Sequence, residues 1–235
     1  MGHMNPRLLL ILCCLAATVG LGAAAGPASA AIVEVGVSPV ASTPSCPAKP
    51  CFAVSRTTGY QAKAGEQRAL YTVPQDGRIV AWSITLSRPD DEQKAFFEEQ
   101  FGGPASAGIS VLRPGRKLYA RTLSNSPIQR LEPYFGGTVQ FPLETSIAVR
   151  KGWIVALTVP TWAPSLAVAF GNDTSWRAAS RRQGGCDELE TQTPQVRSGG
   201  VARYRCLFRT ARLTYSATLV TSPTPPAPPA PPPAN

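Results

Sequence analysis

The chain has 235 residues, 43% of them hydrophobic and only 16% charged, with 20 Gly, 24 Pro and a formal charge of +9. This composition excludes a chain disordered throughout and a helix-rich protein, and it points to a turn-rich β protein. The one histidine, His3, and both methionines, Met1 and Met4, fall within the first four residues, so nothing downstream offers an imidazole for catalysis or metal binding.

Arg7 is followed by an apolar run from Leu8 to Val19 and then by small residues ending in Ala28-Ser29-Ala30. This is the pattern of a secretory signal peptide cleaved after Ala30, and it predicts a secreted or cell-surface protein. The run thins into Gly20, Gly22, Gly26 and Pro27, too early for a membrane span, and no later segment is long and apolar enough to be one. Cys13 and Cys14 raise a lipoprotein anchor, but they follow Leu12 and Cys13 rather than a small residue. Removal of the leader takes Arg7 with it and lowers the charge from +9 to +8. About 190 residues then remain for one folded domain, enough for a real core.

Period-two alternation marks strands through most of that length. It covers Ile32 to Val37, Phe52 to Arg56, Ala69 to Val73 and Val80 to Leu86, where Val80, Trp82, Ile84 and Leu86 share one face. Asp90-Asp91-Glu92 at one end and Gly102-Gly103 at the other then frame a single helix, with Phe97 and Phe101 four apart on one face. Strand signals resume at Gly108 to Leu112, Lys117 to Leu123, Thr138 to Phe141, Ser146 to Val149, Ile154 to Val159, Leu166 to Phe170, Tyr204 to Phe208 and Leu213 to Leu219. Arg113-Pro114-Gly115, Gly136-Gly137 and Lys151-Gly152 supply turns between them. The expected fold is all-β: an antiparallel two-sheet sandwich, jelly-roll-like, over residues 31–220 with one short inserted helix. Residues 221–235, with their Pro-Pro-Ala-Pro-Pro-Ala-Pro-Pro-Pro run, read as a disordered polyproline II tail.

Cys46, Cys51, Cys186 and Cys206 follow the leader. An even number in an exported chain implies disulfides, and of the three pairings Cys46 with Cys51 and Cys186 with Cys206 closes the shortest loops. Zinc is the rival use of four thiols, disfavoured without histidine or C-x-x-C spacing.

Tyr71-Thr72-Val73-Pro74-Gln75-Asp76-Gly77-Arg78-Ile79-Val80-Ala81-Trp82, the stretch from Val149 to Pro164, and the closing Tyr204-Arg205-Cys206 with Tyr215-Ser216-Ala217-Thr218 resemble a group of uncharacterised secreted proteins from high-GC actinobacteria. The resemblance covers most of the mature chain and implies an exported β-sandwich. It supplies no activity and no functional residues.

Without histidine or a free thiol, Ser-His-Asp and Cys-His catalysis are excluded, and so are histidine-ligated metals. No cofactor is called for. Asp90, Asp91, Glu92, Glu98 and Glu99 are the densest carboxylates, but they crowd the ends of one helix instead of facing each other across a cleft. A solvated helix face is the simpler account, with a carboxylate-only glycan hydrolase as the alternative. The basic residues form two groups: Arg177, Arg181 and Arg182 beside Trp176, and Arg203, Arg205 and Arg209 alternating with Tyr204, Cys206 and Phe208. Arginine-rich surface edged by Trp162 and Trp176 suits an anionic or neutral glycan, such as a cell-wall or extracellular polysaccharide. The competing account has the arginines on a solvated face and the tryptophans capping the core. Nucleic acid is not expected, because no binding motif appears. The expectation is a non-catalytic binding or structural module outside the cell.

Overall fold

A computed structural model describes residues 30–38, 41–180, 185–186 and 193–223. The expected export signal, most of the Pro-rich tail, and Arg181 and Arg182 lie outside the described residues. In chain order the strands are β1 (Ile32–Val35), β2 (Val54–Ala64), β3 (Gln67–Arg68), β4 (Gly77–Thr85), β5 (Ser106–Pro114), β6 (Tyr119–Asn125) and β7 (Gln129–Arg130). They continue with β8 (Thr138–Val149), β9 (Ile154–Ala163), β10 (Leu166–Ala167), β11 (Ser175–Ser180), β12 (Val201–Arg209), β13 (Arg212–Leu213) and β14 (Tyr215–Thr221). Helix α1 (Asp91–Phe101) joins β4 to β5. The protein is mostly β, as expected, and its sheets pack together. Among the described residues no helix is long and apolar enough to cross a membrane.

The large sheet differs from the expected sandwich. Its strands run β11-β12-β6-β5-β9-β2, and β2 pairs back onto β11, so the sheet closes into a six-stranded antiparallel barrel. Closure removes the edges that an open sandwich sheet would leave. The ring takes the place of two open sheets in jelly-roll order. It depends on two segments whose alternation is weak: the far half of β2, and β11 with its Ala178-Ala179 pair. Gly59 permits the close approach there, since a Cβ at this position would lie 2.7 Å from the Arg177 carbonyl and 2.9 Å from the Trp176 ring.

Inward positions of so narrow a barrel take small or hydroxylated side chains. Thr58, Ser110 and Thr158 are linked by their hydroxyls, with Thr58 Oγ1 3.0 Å from Thr158 Oγ1. Leu112, Ala120, Ala156, Ala179, Ala202 and Tyr204 form a separate small apolar cluster with Tyr60 against it. The loop from Thr193 to Gly200 reaches this polar group: the Gln195 amide donates to Thr58 Oγ1 at 2.8 Å, and Asn125 Nδ2 donates to the Val196 carbonyl at 3.1 Å.

A second, four-stranded sheet in the order β1-β14-β4-β8 packs against one outer side of the barrel. Trp82, Ile84, Phe141, Ala217 and Leu219 from this sheet meet Ile109, Val111, Val155, Leu157 and Val159 from the barrel in the main core. A register shift between Ile79 and Ala81 places Ile79, not Val80, among the fully buried residues. Tyr71 and Tyr215 stack at 4.2 Å; the Tyr71 hydroxyl donates to the Tyr215 carbonyl and the Tyr215 hydroxyl to the Val155 carbonyl. Strand β14 includes Thr221, whose amide donates to the Ala31 carbonyl, so the folded part extends past the expected boundary at 220. The stretch Ala69 to Val73, expected as a strand, contributes only an isolated bridge from Thr72 to Ile154.

Helix α1 forms where its end signals place it. Asp90 accepts from the Gln93 amide while the Gln93 side chain accepts from the Asp90 amide, and Gly102 closes the helix in the left-handed region. Phe97 and Phe101 are its buried residues.

Both disulfides have the expected pairing, Cys46 with Cys51 and Cys186 with Cys206, an arrangement compatible with an extracellular protein. The second spans 20 residues of sequence. Its removal in a Cys186→Ala, Cys206→Ala double variant is expected to lower stability by roughly 3 kcal/mol through the restored entropy of the unfolded loop. Urea unfolding of the double variant beside the wild type checks this, and an unchanged midpoint would refute it.

Candidate functional site

Trp162 and Trp176, candidates for a sugar platform or for core caps, are both inside the fold. Trp162 is completely buried, its ring lies 4.9 Å from Phe97 and 5.7 Å from Phe135, and its Nε1–H donates to the Gly103 carbonyl at 3.1 Å. It anchors α1 to β9. Trp176 is 6% exposed and stacks on Phe208 at 4.5 Å. The aromatic area that a neutral sugar would need is already used by neighbouring rings, so these two residues are core caps.

Of the predicted arginines, Arg177, Arg203, Arg205 and Arg209 lie among the described residues, and these four do not share one face. Strict alternation along β12 would put Arg203, Arg205 and Arg209 together, but the pairing with β11 slips between Ala178 and Ser180, leaving an extra residue on β12. Tyr204 therefore joins the small barrel cluster, whereas Cys206 and Phe208 belong to the main core on the other side of the strand. Arg205 sits half-buried at the slip, and Arg209 is exposed opposite Ser175. Arg177 is half-buried opposite Tyr60, with Nη1 3.4 Å from the Tyr204 carbonyl. Burial pushes the Tyr60 hydroxyl above its ordinary range, and the Arg177 charge pulls the other way. Of these four, Arg203 is the one on an exposed surface shared with further cations.

That surface contains residues the sequence reading passed over. Arg113 of β5 stands directly opposite Arg121 of β6, Arg121 opposite Val201 of β12, and Tyr119 opposite Arg203. Farther back along β5, Ile109 and Val111 are covered by the core; Arg113 emerges beyond that cover and is exposed. The turn between β5 and β6 adds exposed Arg116 and Lys117. Arg203 is held in place by its Nε–H to the Lys117 carbonyl at 3.2 Å, with its guanidinium 5.8 Å from the Tyr119 ring centre. Arg121 Nη1 donates to the Gly199 carbonyl at 2.8 Å. Among the described residues the ion pairs join Lys94 and Arg130 to Glu98 and Glu132, and none involves these five cations. A signal was present in the sequence: four cations fall between Arg113 and Arg121, and no acidic residue occurs between Glu99 and Glu132.

Glu98 and Glu132 are carboxylates from separate elements that the fold brings to one cation, 3.7 and 2.9 Å from Lys94 Nζ. Hydrogen bonds from Lys94 and Arg130 hold the Glu132 carboxyl below its usual range. A glycosidase general acid needs the opposite shift. Through Lys94 they tie α1 to the segment after β7.

The candidate site is therefore a basic face built on three adjacent strands, able to offer guanidinium groups to carboxylate or phosphate oxygens. In comparisons with known protein families, with curated proteins and with solved structures, nothing matched this chain.

Proposed function

We propose that the protein is an exported, non-catalytic binding module that uses the β5–β6–β12 face to hold an anionic component outside the cell. The observation that carries this reading is Arg113 directly opposite Arg121, extended by Arg203, Arg116 and Lys117, without a carboxylate partner among the described residues. Like charges directly opposite in a sheet are destabilising. A partner that repeats carboxylate or phosphate groups removes that repulsion, and guanidinium meets such groups in bidentate fashion. The disulfides, the leader-like N-terminus and the resemblance to exported actinobacterial proteins support an extracellular address.

The test is retention of the chain beginning at Ala31 on an immobilised acidic polysaccharide. Arg113→Ala, Arg121→Ala and Arg203→Ala are each expected to weaken retention at low salt, by about 1 kcal/mol for each cation near an anionic surface. The differences should shrink at physiological ionic strength, where screening acts over about 8 Å. Melting temperatures should stay near wild type, or slightly above it for Arg113→Ala and Arg121→Ala, because exposed charges contribute little to folding and these two substitutions relieve the repulsion. Retention that is identical for wild type and all three variants would remove this face from the function.

A further inference from the structure

The basic face is not purely polar. Leu118 is 41% exposed, Tyr119 46% and Val201 53%. They are interleaved with the cations: Val201 faces Arg121 across the β6–β12 pair, Tyr119 faces Arg203, and Leu118 follows Arg116 and Lys117 at the turn. The turn is fixed in shape. The Gly115 amide donates to the Tyr119 carbonyl at 2.7 Å, and Lys117 and Leu118 are both held at positive φ, 53° and 66°. Two successive non-glycine residues in the left-handed region are unfavourable on their own, so the surrounding pairing imposes the turn that presents Arg116, Lys117 and Leu118 to solvent.

A hydrated acidic polymer would satisfy the guanidinium groups but would leave Leu118 and Val201 in water. A lipid surface takes both kinds of side chain: anionic headgroups accept the cations, tyrosine suits the headgroup level, and a protruding leucine reaches the acyl boundary. Resting on the reading of this face as the contact with an anionic partner, we infer that the partner is an anionic lipid surface, with Leu118 inserted at the turn and Arg113, Arg121 and Arg203 on headgroup phosphates.

Co-sedimentation with vesicles tests this, using phosphatidylcholine alone and equal parts of phosphatidylcholine and phosphatidylglycerol. Wild type is expected to partition into the phosphatidylglycerol vesicles and to remain in solution with phosphatidylcholine. A triple Arg113→Ala, Arg121→Ala, Arg203→Ala variant should lose binding about a hundredfold, given roughly a fivefold contribution per cation near a charged membrane. The decisive variant is Leu118→Ser, which leaves every charge in place on an exposed turn. It should weaken vesicle partitioning several-fold while leaving retention on acidic polysaccharide unchanged. Equal partitioning of Leu118→Ser and wild type would overturn the lipid assignment. Binding to acidic polysaccharide without binding to vesicles would overturn it too, with the anionic-partner reading still standing. Binding to neither would remove both. Thermal melts of each variant confirm that the fold is retained.

Discussion

Above pH about 10 the protein is expected to lose stability steeply and to unfold in a cooperative step. Tyr71, Tyr204 and Tyr215 carry the effect. Burial pushes all three hydroxyls well above the ordinary tyrosine range, against weaker opposing pulls from Arg212 on Tyr71 and Thr122 on Tyr204. The Tyr71 hydroxyl, stacked close by, raises Tyr215 further. In the unfolded chain each ionises near pH 10, so at higher pH the unfolded state sheds protons that the folded state keeps. Stability is thus fully present below that point and falls as pH climbs toward the folded-state values. Each tyrosine contributes a slope of about 1.4 kcal/mol per pH unit, so three remove roughly 4 kcal/mol per unit, against a total of about 5–15 kcal/mol for a typical domain. Urea midpoints measured at successive pH values check the slope, and Tyr71→Phe should reduce it by about a third. Tyrosinate absorbance near pH 10 that accounts for all six tyrosines while the protein stays folded would show that the buried hydroxyls reach solvent, contrary to this expectation.

Trp162→Ala is expected to cost roughly 3–5 kcal/mol, the range for truncating a large aromatic in a core. The substitution empties the space between β9, Phe97 and Phe135 and leaves the Gly103 carbonyl without its indole donor. Helix α1, whose buried side is Phe97 and Phe101, should become the first part to exchange its amides. Chemical denaturation and amide exchange measure the two effects. A loss under about 1 kcal/mol would contradict the buried position of this ring and reopen the sugar-stacking role that the sequence allowed.

The strands that were legible in the sequence are those with one apolar and one polar face, because burial on a single side writes a period of two. Strand β14 is the clearest, with Tyr215, Ala217 and Leu219 buried and Ser216 and Thr218 less so. The helix was equally plain from Asp90-Asp91-Glu92 at one end and Gly102-Gly103 at the other. The barrel was not legible. Its interior is lined by Thr58, Ser110, Thr158 and alanines, so residues enclosed by the fold look like surface residues in a hydropathy pattern. Closing residues such as Gly59 and Ala178 carry no alternation. The basic face was not legible for a related reason. Grouping arginines along β12 assumed unbroken alternation, which the slip beside Tyr204 interrupts. The cations of β5, β6 and β12 become neighbours only once strand pairing is known, since Arg121 and Val201 are far apart in sequence.

The pairing of β1 with β14 places the first and last described strands side by side, with Ile32 opposite Val220 and the Ala31 amide on Thr221 Oγ1, 190 residues apart. The small sheet therefore cannot be completed until synthesis has passed Thr221, and β1 waits unpaired in the meantime. Contacts of such long separation form late, after the entropy of a large loop has been overcome. The same adjacency means that a short linker from Ser222 to Ala31 should yield a circular permutant opened at a surface turn such as Lys151-Gly152.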